Sequence, residues 1–239
     1  MRRVAVYAGT RNVYPMMETA AKSLLNTTRV DRVWFLIEDE AFQKPLPEVI
    51  RCMDVSGQTW FTPDGPNFHS YWTYMTLIRL ALPEILADES RCLWLDCDTL
   101  CTRDIGPLFD LDMKGNAVAM AEEPRRSKRP FVYHNAGVCL MDLDTLRGER
   151  MADMIRMINT RKFSAPDQDV LNMRLQTEIL TLDPTWNSGN EWTAMVPNPA
   201  IQHFAGDHKY TTRPAWREAE AMEWRDINAS AERPGIPEY

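Results

Sequence analysis

The chain has 239 residues, 44% of them hydrophobic and 26% charged, a balance that excludes a disordered polymer and supplies enough apolar material for one large core. Its formal net charge of -7 excludes nucleic acid as a bulk partner, because phosphate binding needs a basic face, so an anionic substrate has to be met by a local site. No apolar run reaches membrane-spanning length, and Met1 to Tyr7 leads into a strand pattern without room for a signal peptide, so the expectation is a soluble, cytoplasmic protein.

In chain order, Val4 to Tyr7 predicts a strand and Ala8-Gly9-Thr10-Arg11-Asn12 a turn. Pro15 suits the first turn of a helix in which Met17, Ala20, Ala21, Leu24 and Leu25 recur at three-four spacing. Val33 to Ile37 predicts a second strand, closed by Glu38-Asp39-Glu40, and Pro63, Gly65 and Pro66 mark the stretch 57–67 as loop. The spacing of Tyr74, Met75, Ile78 and Leu82 predicts a helix from Tyr71 to Ile85, with Arg79 off its apolar stripe.

The stretch that organises the rest is Arg91-Cys92-Leu93-Trp94-Leu95-Asp96-Cys97-Asp98-Thr99-Leu100. A buried strand ends abruptly in two carboxylates at i and i+2, which strand alternation puts on one side at the sheet edge where open α/β folds bind ligands. Two readings stand: solvated acids ending a strand, or a pair whose repulsion is relieved by a divalent cation.

Beyond it, Ala117 to Met120 predicts a strand ending in Glu122-Glu123, and a basic loop from Arg125 to Arg129 follows. Tyr133-His134-Asn135-Ala136 reads as a turn into a strand from Gly137 to Met141. Met151, Met154, Ile155 and Ile158 mark a helix, and Pro166 opens another whose first turn carries Asp167, Gln168 and Asp169, residues that capping and the helix dipole also favour. Glu178 to Leu182 predicts a late strand, the stretch 183–199 reads as irregular, and Ile201-Gln202-His203-Phe204-Ala205-Gly206-Asp207-His208-Lys209 sets an imidazole, a glycine turn and a lysine close together. Five cysteines without C-x-x-C pairing signal neither a disulfide framework nor a structural zinc and read mainly as core thiols. Strand-helix alternation throughout predicts a mostly parallel mixed sheet with helices on both faces.

Each of these clusters is weak alone, but their order is that of a known family. The sequence resembles the family-8 retaining glycosyltransferases, the group of glycogenin and the bacterial lipopolysaccharide galactosyl- and glucosyltransferases, over roughly residues 4 to 210, through "WLDCDTL", "HNAGVCLMDLD", "DQDVLN" and "HFAGDHK". The resemblance implies a single-domain glycosyltransferase A-type fold over 1–210, with 211–239 as a C-terminal extension packed on the domain or on a partner. It implies that Asp96, Asp98 and His203 hold Mn2+, or Mg2+, against the diphosphate of a nucleotide sugar, expected to be UDP-linked. Lys209 and the Gly206 amide would hold the diphosphate. Arg79, Asn135, Asp167 and Gln168 would face the donor sugar, the last three as catalytic positions, and Ala8, Thr10, Asn12, Tyr14 and Cys97 would line the nucleotide pocket. The acceptor would be a glycan or another hydroxyl compound, and a homo-oligomer stays open.

Three departures stand beside the resemblance. Thr10 replaces the acid expected for the base, Tyr14 comes one residue later than the commonest spacing, and Tyr210-Thr211-Thr212-Arg213 replaces proline-tryptophan after Lys209. Two other classes use parts of the same pattern: a nucleotidyltransferase on a related fold, and a nucleotide-sugar-binding module without turnover. The first predicts basic residues along the first turn, where only Arg11 stands, and the second is opposed by the presence of all three expected ligands.

Overall fold

A computed structural model of the protein describes residues 2–39, 42, 45–70, 73–124, 131–189 and 193–225; the basic stretch 125–129, Glu40, Tyr71 and the chain after residue 225 lie outside the described residues. Nine strands are found among the described residues: β1 (Val4–Ala8), β2 (Arg32–Ile37), β3 (Ile50–Asp54), β4 (Arg91–Leu95), β5 (Thr99–Cys101), β6 (Val118–Glu122), β7 (His134–Asp142), β8 (Ile179–Leu182) and β9 (Ile201–His203). Seven of them form one sheet in the order β3-β2-β1-β4-β7-β6-β8, and β5 pairs with β9 in a small second sheet. β7 runs antiparallel to both neighbours while the other four pairings are parallel, so the sheet is mixed and mostly parallel.

Both faces of the sheet are buried, as the near-continuous apolar strands require. Along β1, Val4 and Val6 join one apolar layer and Ala5 and Tyr7 the other; along β4, Cys92 and Trp94 part from Leu93 and Leu95 in the same way. Helix α1 (Tyr14–Thr27) starts with Pro15 in its first turn and covers one face through Met17, Ala20, Ala21, Leu24 and Leu25. The opposite face is covered by α5 (Glu149–Thr160) and α6 (Pro166–Arg174), through Met151, Met154, Ile158, Val170 and Leu171, with the short helices α2 (Leu82–Ile85) and α4 (Leu143–Leu146) beside them. The short α3 (Gly106–Phe109) joins the α1 face, and α7 (Pro214–Glu220) packs Trp216 with Leu100 and Phe204.

Among the elements that differ from the sequence reading, three do so for a local reason. β3 is half exposed at the sheet edge and lacks an apolar run, so periodicity does not reveal it. The helix expected from Tyr71 to Ile85 is a 3-10 helix over Tyr74–Ala81 followed by α2, because Met75 and Ile78 sit three apart and fit either period. The tighter winding, capped by Thr73 at a φ of 63°, turns Arg79 inward to 2% exposure. β7 begins at His134 rather than Gly137, so Asn135 lies in the strand.

The pairing of β6 with β7 is irregular between Met120 and Ala121: Met120 faces Cys139, and Ala121 faces Asn135. Ala136 and Gly137 are thereby released from the β6 ladder, and their backbone groups bond instead to the side chains of Arg79, Gln168 and Asn135 and to the Asp96 amide.

Candidate active site

β4 stops at Leu95, and Asp96-Cys97-Asp98 forms the turn into β5, closed by Thr99 N donating to Asp96 O at 3.2 Å. It is this turn, and not strand alternation, that brings the two carboxylates together. β9 pairs with β5 antiparallel, setting His203 opposite Thr99. The imidazole of His203, 2% exposed, then lies with Nε2 3.2 Å from Asp98 Oδ1 and 3.9 Å from Asp96 Oδ2. One ligand atom from each of Asp96, Asp98 and His203 can be chosen so that all three lie within 4.8 Å of one another.

Arg79 crosses behind this cluster. Its Nη2 donates to Asp96 Oδ1 (2.8 Å), its Nη1 to the released carbonyl of Ala136 (2.5 Å), and its Nε stands 2.8 Å from Asp167 Oδ2 at the start of α6, while its guanidinium lies 4.4 Å from the Trp94 ring centre. Burial pushes the Asp96 carboxyl up, but Arg79, with His203 and the Trp94 indole N–H, outweighs it and holds the group below its ordinary 3.8. Burial also pushes Asp167 up, and there it prevails over Arg79. For His203 burial acts downward, yet Asp98 and then Asp96 raise it above 6.5. A buried imidazole raised in this way sits in a field that draws positive charge, and two carboxylates with one imidazole are a donor set suited to a divalent first-row metal. The residues present therefore fit a bound cation.

Gln168 is held at both ends: its Oε1 accepts from Ala136 N (2.9 Å), and its Nε2 donates to Glu123 Oε2 (2.7 Å). Glu123, 1% exposed, also receives Asn135 Nδ2 at 3.5 Å. Asp169 and Asn172, in the same motif, serve the scaffold. Asp169 takes Tyr133 Oη and the amides of Ser164 and Ala165, and Asn172 clamps the His134 backbone through both its amide atoms.

Two further groups surround the cluster. Gly206, at a φ of 71°, makes the turn after β9, and Asp207 braces the following segment by accepting from Lys209 N (3.0 Å) and Arg213 Nε (2.9 Å), leaving the Lys209 side chain exposed. Arg213 is thus part of the loop's own bracing. At the end of β1, Ala8 O accepts the Cys97 thiol at 3.2 Å, and burial, with Asp96 and Asp98, pushes that thiol far up so that it stays protonated. Thr10 hydrogen-bonds Asn12. Tyr14 is buried, its hydroxyl between Glu38 N (3.1 Å) and Asp39 Oδ1 (3.2 Å), and its ring stacks on Phe42 at 4.6 Å. The first turn and the acidic cluster therefore meet through Cys97, whereas Tyr14 is turned toward the end of β2. Asn187 lies in the stretch read as irregular and carries no sequence signal, yet its Oδ1 stands 2.8 Å from His203 Nδ1 as an acceptor.

The family model for glycosyl transferase family 8 matches residues 22–212 of the chain. The chain belongs to glycosyl transferase family 8. In sequence it is 28% identical over 171 residues to general stress protein A of Bacillus subtilis, covering 59% of this chain and 60% of that protein. It is 26% identical over an alignment of 262 residues to the glycosyltransferase GlyE of Streptococcus pneumoniae, covering 95% and 63%. The glycosyltransferase GlyB of the same organism is 31% identical over 140 residues, 58% of this chain and 33% of that protein, so the chain spans from a third to just under two thirds of these relatives' length. Among solved structures, the galactosyltransferase LgtC in complex with donor and acceptor sugar analogs superposes with a TM-score of 0.70 at 21% identity, covering 91% of this chain and 95% of that one. That likeness bears on the fold, which is the glycosyltransferase A-type fold of the family. Among the described residues no helix is long and apolar enough to cross a membrane.

Proposed function

We propose that the protein is a metal-dependent retaining glycosyltransferase that moves a hexose from a nucleoside-diphosphate sugar, UDP-linked, to a hydroxyl acceptor such as a glycan. The observation that carries this reading is the meeting of Asp96, Asp98 and His203, from the end of β4 and from β9, within 4.8 Å in a field that raises a buried imidazole. In this reading those three residues hold Mn2+, with Mg2+ as a substitute, and residues 1–210 make the catalytic domain with 211–239 as an extension. The five free thiols support a reducing, cytoplasmic setting.

Breaking the bond from the anomeric carbon to the diphosphate leaves positive charge on the sugar and negative charge on the leaving group. The cation, when bound, supplies positive charge at the departing diphosphate. The Lys209 ammonium and the Gly206 amide lie on the exposed loop beyond His203 and add to that charge. On the sugar side, Asp167 and the amide of Gln168 supply oxygen atoms for an oxocarbenium-like centre, and Asn135 is assigned to holding the donor sugar. Arg79 and Glu123 keep these groups from turning away, since each already pairs with them. The acceptor hydroxyl attacks on the face the diphosphate leaves, and its proton passes to the departing phosphate oxygen, so one glycosidic bond forms as one glycosyl phosphate bond breaks. No separate base is required. The nucleoside is assigned to Ala8, Thr10, Asn12 and Cys97, with Tyr14 as support beneath.

The test is release of nucleoside diphosphate from a panel of nucleotide sugars with and without Mn2+, alongside Asp98→Ala. Metal-stimulated release lost in the variant is expected. Pyrophosphate as the product would point instead to nucleotidyl transfer, and binding without release to a non-catalytic module. For Lys209→Ala, nucleoside diphosphate binding should weaken by about 1 to 3 kcal/mol, the scale of a charged hydrogen bond. Unchanged affinity by calorimetry would remove Lys209 from the site.

A further inference from the structure

We propose that Asn187 is a positioning residue that fixes which nitrogen of His203 carries the proton, leaving Nε2 bare toward Asp96 and Asp98. The assignment rests on a chain of donors and acceptors that admits one solution. It begins at a group whose polarity is not in question, the backbone N–H of Gly137, which meets Asn135 Oδ1 at 3.0 Å. A donor there requires the oxygen of the Asn135 amide on that side, and the other end agrees, since Asn135 Nδ2 faces the Glu123 carboxylate.

The same Asn135 oxygen faces Asn187 at 2.9 Å, so Asn187 has to present its Nδ2. Its oxygen is then the atom 2.8 Å from His203 Nδ1, and a neutral imidazole facing an acceptor at Nδ1 has to carry its hydrogen there. Nε2 is left with its lone pair, 3.2 Å from Asp98 Oδ1 and 3.9 Å from Asp96 Oδ2. With the ring neutral these three atoms are all acceptors, and a proton on Nε2 or a bound cation would satisfy them together.

Asn187 is placed to do this by backbone. Its segment lies against β9 through Ser188, which bridges Gln202, takes the His203 amide (2.8 Å) and donates to Ile201 O (3.1 Å). The close approach depends on Gly189, where a Cβ would come within 2.1 Å of His203 O. The Asn187 side chain is fully buried, so water does not compete for the imidazole. A residue in the irregular stretch before β9 thus selects the imidazole tautomer that a metal needs.

The consequence for metal rests on the proposed cation site, whereas the tautomer does not, and the experiment separates them. Long-range proton–nitrogen spectra of the imidazoles are recorded on metal-free protein at alkaline pH, where the ring is neutral. In the wild type, His203 is expected to carry its hydrogen on Nδ1 with Nε2 bare. Asn187→Leu should lose that preference and weaken binding of Mn2+ alone, measured by calorimetry, about 10- to 100-fold. Asn187→Asp, which still offers an oxygen to Nδ1–H, should keep the tautomer. A wild-type ring protonated on Nε2 overturns the inference even if Asn187→Leu fails to fold, and so does a folded Asn187→Leu with unchanged tautomer and Mn2+ affinity. Wild-type protein that shows the expected tautomer but binds no Mn2+ would instead overturn the cation site.

Discussion

Replacing Arg79 by methionine should cost the metal-free protein about 3 kcal/mol of stability, the low end of the range for stranding one side of a buried ion pair. Arg79 keeps only 3% of its side chain exposed, and it stands between two carboxylates, Asp96 at 32% exposure and Asp167 at 10%. Asp96 retains part of its solvent contact, which is why the low end applies. The loss should depend on pH in a definite direction. With Arg79 present, the folded-state pKa of Asp96 lies below its ordinary 3.8, so the pair contributes stability above that value and loses it as pH falls through the folded pKa. The variant lacks this contribution at neutral pH. Wild type and variant should therefore converge as pH falls below 3.8 and through the folded-state pKa of Asp96. Arg79→Lys should recover little, because a single ammonium cannot reach Asp96, Asp167 and Ala136 O together as the guanidinium fork does. Urea unfolding in chelator at neutral and acid pH measures this. A cost under about 1 kcal/mol, or one that is the same at both pH values, would mean that Arg79 is not the charge balancing these acids.

What could be read from the chain beforehand divides along a physical line. Residues to which the proposed chemistry is assigned sit in local patterns: paired acids after an apolar strand, Asp167 and Gln168 in a helical first turn, and His203 ahead of a glycine turn. Those patterns, with their order, were legible. What was not legible is how the pieces are held in register. The β6–β7 irregularity that frees Ala136 and Gly137 leaves no mark in composition, because Met120 and Ala121 are ordinary strand residues. Glu123 looks in sequence like half of an exposed acidic pair and is in fact buried against Gln168, while Glu122 faces solvent. Arg79, off the apolar stripe of the expected helix, is buried because its pairing with Asp96 and Asp167 arises only when distant elements meet. Asn187 belongs to the same class: its polarity matters only beside a histidine delivered by β9.

Gly137 shows why such support matters more to the site than its size suggests, and Gly137→Ala should reduce metal-stimulated turnover about 100-fold, the usual penalty for displacing a reacting constellation by about 1 Å. A Cβ built at this position would come 2.1 Å from Cε1 of His203, 2.8 Å from Nδ1 and 2.9 Å from Nε2, so the glycine is required by the space the imidazole occupies and not by its backbone angles. The ring cannot yield easily, being 2% exposed and held at Nδ1 by Asn187. The methyl group should also cost about 1 to 3 kcal/mol as an overpacked core contact. A double-mutant cycle isolates the cause. In His203→Ala the imidazole is gone, the methyl at 137 has room, and the stability cost of Gly137→Ala should fall by about 0.5 to 3 kcal/mol, the coupling seen between residues in contact. Mn2+ binding should be lost in His203→Ala with either residue at 137. If the two stability costs simply add, the methyl and the imidazole do not compete for space. Turnover lost by Gly137→Ala would then have to come from the backbone of β7, through Asp96 N and its bond to Gly137 O, and not from His203.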